Sequence, residues 1–357
     1  MNGNIRGFGI KAATVLALGA SIAAVSSPAQ AGIYDAGKVL ATSGVNITDG
    51  AAGGGITPWA VIAGYETNQG INGSIHYTYA NLPNYSLNSL GAAIGFYDRL
   101  ELSYAYDLLP TGSTFNTVGL LTNTLAGVVV QDSGIDPFNT AIRMDIFGAK
   151  LRVIGESIYD SDNLLPQVAL GGFYKVNHNK ELMNTLLANK AKDFEAYVAI
   201  TKIFFPLDLL VNVTVRYTAA NQTGLTGFGG PNKNKREFRP EVSFAYLLAK
   251  NVAIGAEYAA HGKNTDGRGV AVGGNVDTSV LGSITGALNN IGIGGPVGNL
   301  ANNLNDTLTQ RESDWFDVFF AYFPSKNLSF VAAYANLGNI TLTPKQTGAY
   351  FSVQASF

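Results

Sequence analysis

The chain ends on Thr-Gly-Ala-Tyr-Phe-Ser-Val-Gln-Ala-Ser-Phe, residues 347–357, and this stretch decides the fold. If it is extended, one face carries the apolar set Ala349, Phe351, Val353, Ala355 and Phe357. The opposite face carries Tyr350, Ser352, Gln354 and Ser356. Alternation with a period of two predicts a β-strand that lies between an apolar and a polar environment.

A last strand that ends on an aromatic residue resembles those of bacterial outer-membrane β-barrel proteins, whose assembly machinery reads such a strand. We therefore interpret Phe351, Val353 and Phe357 as part of a barrel-closing strand and assembly signal. The alternative is an ordinary edge strand of a soluble sheet, and the rest of the sequence decides between the two.

The first 31 residues predict export. A short basic start with Arg6 and Lys11 precedes an apolar run at 12–25, and Ala-Gln-Ala follows at 29–31. This is the pattern of a cleaved secretory signal peptide. We expect cleavage after Ala31, which leaves residues 32–357 as a single domain. The run is shorter than the roughly 20 apolar residues that a membrane-spanning helix needs.

The composition excludes several kinds of site. The chain has no cysteine, which rules out a disulfide framework, an iron–sulfur site and a cysteine nucleophile. Its 3 histidines are too few for a histidine-rich metal or haem array. The formal net charge of −2 is close to neutral. We expect no cofactor, no metal and no nucleic-acid partner.

Strand-like segments of about ten residues recur along the chain, as tilted membrane strands require. They lie at 39–49, 56–66, 72–80, 87–97, 99–108, 143–154, 166–176, 194–204, 209–219, 238–248, 252–261, 314–323, 328–337 and 347–357. We expect about 14 strands, within a range of 12 to 14. The uncertainty lies at 32–55, because this stretch would form either a strand or a plug inside the barrel.

The connections between these segments alternate in length. Short ones lie near Asp98 and at 206–208, 249–251 and 324–327, and long ones at 110–142, 177–193, 220–237 and 262–313. Short periplasmic turns opposite long extracellular loops are typical of outer-membrane barrels. An open sheet edge would leave backbone groups unpaired in lipid. We therefore predict a closed antiparallel transmembrane β-barrel, integral to the bacterial outer membrane and in contact with lipid.

Four motifs carry a resemblance to a known family: Gly-Ala-Ala-Gly-Gly-Gly-Ile-Thr-Pro-Trp-Ala at 50–60, Phe-Gly-Ala-Lys at 147–150, Leu-Thr-Gly-Phe-Gly-Gly at 225–230 and Ala-Ile-Gly-Ala-Glu-Tyr at 253–258. They resemble an uncharacterised proteobacterial outer-membrane family, domain of unknown function family 3034. The resemblance covers most of the chain and implies a barrel and a location, but no activity. The chain departs from the family pattern at two apolar insertions, 110–142 and 262–311.

If the apolar strand faces meet lipid, the charged residues between them line the lumen. The candidates are Glu66, His76, Arg99, Glu101, Lys150, Arg152, Glu195, Arg216, Arg239, Glu241, Glu257 and Asp317. A ring of one sign would indicate ion selection. The mixed signs favour ion pairs across the lumen, or a weakly selective watery interior.

The sequence indicates no enzyme. Ser74 and His76 share the inferred lumen face, but no Gly-x-Ser-x-Gly elbow accompanies them. We expect a passive, porin-like channel for an unidentified small solute. Apolar residues at helical spacing within the insertions favour, as an alternative, an uptake channel for hydrophobic compounds. The third reading is a structural or adhesion barrel that does not conduct.

Overall fold

A computed structural model describes residues 44–65, 70–111, 141–157, 165–272, 276–277 and 308–357. The predicted signal peptide, Glu66 and most of the two apolar insertions lie outside these residues. The cleavage site, the extent of the domain and the role of the insertions therefore stay predictions.

Twelve antiparallel strands form one closed barrel. They are β1 (Ile71–Asn81), β2 (Ser86–Phe96), β3 (Leu100–Leu109), β4 (Ile142–Ile154), β5 (Gln167–Asn177), β6 (Lys192–Phe204), β7 (Leu209–Thr218), β8 (Glu237–Ala249), β9 (Val252–Ala259), β10 (Trp315–Ser325), β11 (Leu328–Thr341) and β12 (Thr343–Ser356). Each strand pairs with its neighbours in sequence, and β12 also pairs with β1. The predicted closed barrel is confirmed, at the lower end of the expected range of strand numbers.

The chain end closes the barrel against β1. In this seam Phe351 lies opposite Tyr79, and Val353 lies opposite Tyr77. The terminal residue extends the ladder, because Phe357 N donates to Gly73 O at 2.9 Å and Gly73 N donates to Phe357 O at 2.8 Å. Closure leaves no bare sheet edge, as an apolar surrounding requires.

The two segments predicted as the first strands, 39–49 and 56–66, are not barrel strands. Their described part lies within residues 44–65, which we call the plug, inside the barrel. The plug has only a two-residue ladder, Val45–Asn46 with Ala52–Gly53. Nearly every plug residue is buried, so no alternating face meets lipid. Small residues and glycines allow this packing on all sides. The plug alternative therefore holds for the described part of 39–49, and the strand prediction for 56–66 was wrong.

The barrel strands alternate between a buried polar face and an exposed apolar face. In β2, Leu90 and Ile94 are 53% and 38% exposed, while Ser89, directly before Leu90, is fully buried. Large apolar side chains cover the outside all round, for example Tyr104, Phe147, Phe244 and Phe320. A soluble protein rarely exposes so much contiguous apolar surface. An even-numbered antiparallel barrel with this belt is an integral bacterial outer-membrane protein.

The two ends of the barrel differ in the length of their connections. The turns at 97–99, 205–208, 250–251 and 326–327 are short and lie at one end, which we assign to the periplasm because outer-membrane barrels have short turns there. The long connections at 110–141, 178–191, 219–236 and 260–314 lie at the extracellular end. Two features break the predicted alternation: the periplasmic connection 155–166 is longer, and the extracellular turns at 82–85 and 342 are short.

The extracellular connections contain small ordered elements. They include the helix α1 (Lys180–Thr185), the 3-10 helix Gln222–Gly224 and the two-residue strand Arg311–Glu312, which pairs with β11. Within the residues that the structure describes, no helix is both long and apolar enough to cross a membrane.

Candidate functional site

The plug is held by an ion pair between two neighbouring strands. Glu101 on β3 and Lys150 on β4 face each other in the ladder, 3.1 Å apart, and both side chains are 1% exposed. The Glu101 carboxylate accepts from Ala52 N at 3.2 Å and from Ala63 N at 2.8 Å. Lys150 Nζ donates to Ala52 O at 3.0 Å and to Val61 O at 2.8 Å. The pair therefore binds both arms of the plug.

A second cluster of charged wall residues binds Asp49, the only plug residue with a carboxylate side chain. Asp49 lies 2.9 Å from Lys175 on β5 and 2.8 Å from Arg216 on β7. The same cations pair with the wall: Lys175 lies 3.3 Å from Glu195, and Arg216 lies 3.0 Å from Glu195 and 2.6 Å from Glu241. The wall residues balance one another in charge, and Asp49 adds one negative charge.

A third contact joins the middle of the plug to β8 and β9. Thr57 Oγ1 touches Ser243 Oγ and donates to Glu257 Oε1 at 2.5 Å. Ile56 N donates to Glu257 Oε2 at 2.8 Å, and Trp59 Nε1 donates to Ser243 Oγ at 3.0 Å. The glycine run belongs to this contact, because a Cβ on Gly54 would lie 2.1 Å from Glu257 Oε1.

Further hydrogen bonds distribute the anchoring around the barrel. Ala60 N donates to Thr201 Oγ1 at 2.8 Å, and Thr214 Oγ1 donates to Pro58 O at 2.7 Å. Asn46 N donates to Gln354 Oε1 at 2.6 Å, and Tyr65 OH donates to Ser356 O at 3.0 Å. The lumen of this conformation is therefore occupied by the chain itself.

Most of the predicted lumen residues lie on the buried face of the wall. This group comprises His76, Glu101, Lys150, Arg152, Glu195, Arg216, Arg239, Glu241, Glu257 and Asp317. Arg99 does not; it lies in a periplasmic turn, where it pairs with Glu156 at 3.1 Å and is 41% exposed. Glu66 is outside the described residues. Phe351 is 59% exposed on the outer face, Val353 is half-buried and Phe357 is 54% exposed.

The ion pairs do not cross an open lumen as expected. They join adjacent strands, as in Glu101–Lys150, or strand and plug, as in Lys175–Asp49. Arg152 pairs with Asp98 of a periplasmic turn, and Arg239 pairs with Glu237 of its own strand. The reason is geometric, because the plug fills the space through which opposite walls would have met.

Sequence reasoning missed Asp49, Thr57 and Ser243. The first two lie in segments that were predicted as strands, and Ser243 carries no charge. The signal that could have found them is the glycine run 53–55 beside Thr57, because a lipid-facing strand seldom contains such a run.

The barrel wall forms no Ser–His pair at the candidate position. Ser74 Oγ donates to Asn46 Oδ1 at 2.9 Å, and neither ring nitrogen of buried His76 has a partner among the described residues. That part of the chain also contains no group of three or more side chains that could hold a metal ion.

Two apolar cavities flank the plug contact at Glu257. The extracellular cavity has a volume of about 60 Å³ and is lined by Leu82, Leu87, Leu109, Leu225, Leu337 and Ile340, among others. The periplasmic cavity has a volume of about 40 Å³ and lies between Trp59 and wall residues such as Leu210 and Phe319. Each cavity contains one of the two tryptophans of the chain.

The chain resembles several solved outer-membrane proteins at low sequence identity. A KdgM porin matches at 12% identity and a TM-score of 0.41, over 80% of this chain and 99% of that chain. The COG4313 outer membrane channel from Pseudomonas putida F1 matches at 9% identity and a TM-score of 0.37, over 84% and 97%. Outer membrane phospholipase A from Escherichia coli matches at 9% identity and a TM-score of 0.36, over 84% and 93%.

No curated protein matches this chain. A family profile does: the one described as "Protein of unknown function (DUF3034)" matches residues 42–354, which is most of the chain. The sequence motifs had pointed to the same family. The chain belongs to the DUF3034 family of proteins of unknown function.

Proposed function

We propose that the protein is a passive, porin-like outer-membrane channel for a small solute, and that the plug closes it in the conformation described above. The solute crosses when the plug moves aside. The observation that carries the proposal is the pairing of the wall charges with one another in the two clusters that anchor the plug. Glu101 with Lys150, and Glu195 and Glu241 with Lys175 and Arg216, have partners on the wall itself.

This pairing favours a plug that can be displaced. Removal of one partner from a buried ion pair is costly because it leaves an uncompensated charge. Departure of the plug leaves the wall pairs intact and removes only the Asp49 carboxylate from the larger cluster. At these two clusters the lumen that remains would contain balanced charges and water, which suits a weakly selective channel.

The size of the wall side chains supports the same proposal. Many lumen-facing positions carry small polar residues, among them Ser89, Thr201, Asn212, Thr214 and Ser243, all fully buried. Barrels of about 8 strands are filled by their own side chains, and larger ones enclose space. A purely structural barrel of 12 strands would be stabilised better by large apolar side chains in the lumen.

The test is a reversible cross-link between plug and wall. The γ-oxygens of Thr57 and Ser243 are in direct contact, so Thr57→Cys with Ser243→Cys places two sulfurs in bonding range. The natural chain has no cysteine, so this disulfide would be the only one. We expect the full chain in planar bilayers to conduct in steps, the oxidised variant to be silent, and reduction to restore conduction.

The reduced variant and Ser243→Cys alone are the matched controls. Equal conduction in the oxidised and reduced forms would show that the plug does not gate. A correctly folded, heat-modifiable barrel that never conducts, even without the cross-link, would overturn the channel proposal in favour of a structural role.

A further inference from the structure

The extracellular cavity contains two buried polar side chains with unused hydrogen-bonding capacity. Gln222 is 1% exposed and Thr226 is 3% exposed, and both line the cavity. Gln222 Nε2 and Thr226 Oγ1 have no hydrogen-bond partner among the described residues. Buried polar groups in native proteins nearly always have partners, so each exception requires an explanation.

The orientation of the Gln222 amide is fixed by Trp315. The indole Nε1 lies 2.7 Å from Gln222 Oε1, and an indole nitrogen only donates, so the oxygen must be the acceptor. This leaves Nε2 as the unused end of the amide. The cavity therefore presents a donor that is held in place within an apolar wall.

The backbone at Gln222 is strained in a way that positions this side chain. Gln222, Thr223 and Gly224 have φ angles of 44°, 59° and 97°, a region that non-glycine residues rarely adopt. The wall holds the turn, because Lys175 Nζ donates to Thr223 O at 2.7 Å and Asn177 Nδ2 donates to Gly224 O at 3.3 Å. Such strain persists where the surroundings fix it, commonly at binding sites.

We infer that this cavity binds a small molecule with a slender alkyl group and a carbonyl-type oxygen. The leucine wall takes the alkyl group, and the oxygen accepts from Gln222 Nε2. The volume of about 60 Å³ is below the roughly 150 Å³ that holds a benzene ring, so only a short alkyl group of a few carbon atoms fits. Apolar pockets with a few fixed polar groups are the usual form of ligand sites. The inference rests on the proposed function in one respect: the bound molecule is the class of solute that the channel would carry.

The test uses the fluorescence of Trp315. Trp59→Phe leaves Trp315 as the only tryptophan of the full chain, reconstituted in phosphatidylcholine vesicles because detergent tails would compete. The probes are the shorter pair 4-bromobutan-2-one and 1-bromobutane, whose bromine quenches a nearby indole. We expect saturable quenching by both, with the ketone half-saturating at a concentration at least about tenfold lower, a factor equivalent to about 1.4 kcal/mol.

Two variants test the two halves of the site. Gln222→Glu keeps an oxygen for the Trp315 indole but replaces the donor, so the advantage of the ketone should disappear. Gln167→Glu, which adds a buried carboxyl group at the periplasmic end, should keep it. Ala335→Leu fills the cavity and should abolish saturation by either probe.

Quenching that rises linearly with both probes alike, and that Ala335→Leu does not change, would overturn the inference. Conductance separates it from the proposed function. A barrel that conducts but shows no saturable quenching would overturn the inferred binding site and support the proposed channel. A barrel that shows saturable quenching but never conducts would support the inferred binding site and overturn the proposed channel.

Discussion

At the residue scale, we expect Glu101 and Lys150 to stabilise the protein jointly rather than independently. Lys150→Met leaves Glu101 buried without its partner and removes two hydrogen bonds to the plug, so we expect a loss of about 3–5 kcal/mol in unfolding free energy. Urea unfolding of the protein in vesicles measures this loss in unfolding free energy. Lys150→Met with Glu101→Gln should cost less than the sum of the single changes.

Lys250→Met, in an exposed periplasmic turn, is the control for loss of a lysine and should change the unfolding free energy little. Strict additivity of Lys150→Met and Glu101→Gln would show that the two side chains do not act together, contrary to their geometry.

A substitution at Asp49 should change how often the channel opens without changing the barrel wall. Asp49→Asn removes the carboxylate that the plug brings to Lys175 and Arg216, so the plug should leave more often. Single-channel recordings should show open probability raised several-fold at unchanged unit conductance. Asp208→Asn, in a periplasmic turn, should have no effect, and a lower open probability for Asp49→Asn would contradict the anchoring role.

Individual wall residues were largely predictable, while their partners were not. Alternation placed Glu101, Lys150 and Arg216 on the face away from lipid, because a strand has only two faces. It could not predict that these side chains bind plug backbone, since the plug contributes carbonyl and amide groups that every sequence has. Asp49 was missed for a different reason, because it was assigned to a strand.

At the element scale, the terminal strand predicts a difference between assembly in cells and refolding. We propose that Phe357 is part of the signal that the assembly machinery reads. Phe357→Ala should reduce heat-modifiable barrel in outer membranes several-fold, because the exposed ring is lost while the Gly73 backbone pairing stays. Refolding into vesicles should be nearly unchanged. Phe316→Ala, also on the outer face, is the control and should assemble normally.

The strand Arg311–Glu312 predicts a pH dependence in the extracellular loops. Burial raises the pKa of Glu312 from 4.5 to about 7, and the side chain accepts from Thr265 N at 3.1 Å. Between pH 4.5 and 7 the unfolded carboxyl loses its proton first, so the local structure weakens as the pH rises through this window.

Hydrogen exchange of residues 265–268, corrected for its intrinsic pH dependence, should therefore be slower at pH 5 than at pH 8. Glu312→Gln should remove the difference. Faster exchange at pH 5 in the natural protein would contradict the sign.

The strand assignment of 56–66 failed because its apolar residues alternate for a reason other than contact with lipid. Trp59, Val61, Ala63 and Tyr65 alternate as a lipid-facing strand would, yet all four are buried in or beside the lumen. Ala60 and Ile62 between them are buried as well. Periodicity alone does not distinguish a segment beside lipid from one enclosed by a wall.

At the scale of the whole molecule, closure was the most predictable property. Lipid leaves no alternative partner for an unpaired edge, so alternating strands that span a membrane must close into a cylinder. The exact strand number was less predictable, because removal of two segments from the wall still leaves an even count. What fills a cylinder of 12 strands depends on contacts between distant residues, and local sequence patterns do not contain them.

If the plug leaves the lumen as we propose, its position directly before β1 sets how it returns. Residues 66–70 join Tyr65 to Ile71 in the sequence, and five residues reach at most about 18 Å. A displaced plug therefore stays at an effective concentration in the millimolar range beside the lumen. Reclosure is then a unimolecular event whose rate is independent of how densely the membrane is populated, and a free peptide of the plug sequence would compete only at millimolar concentration.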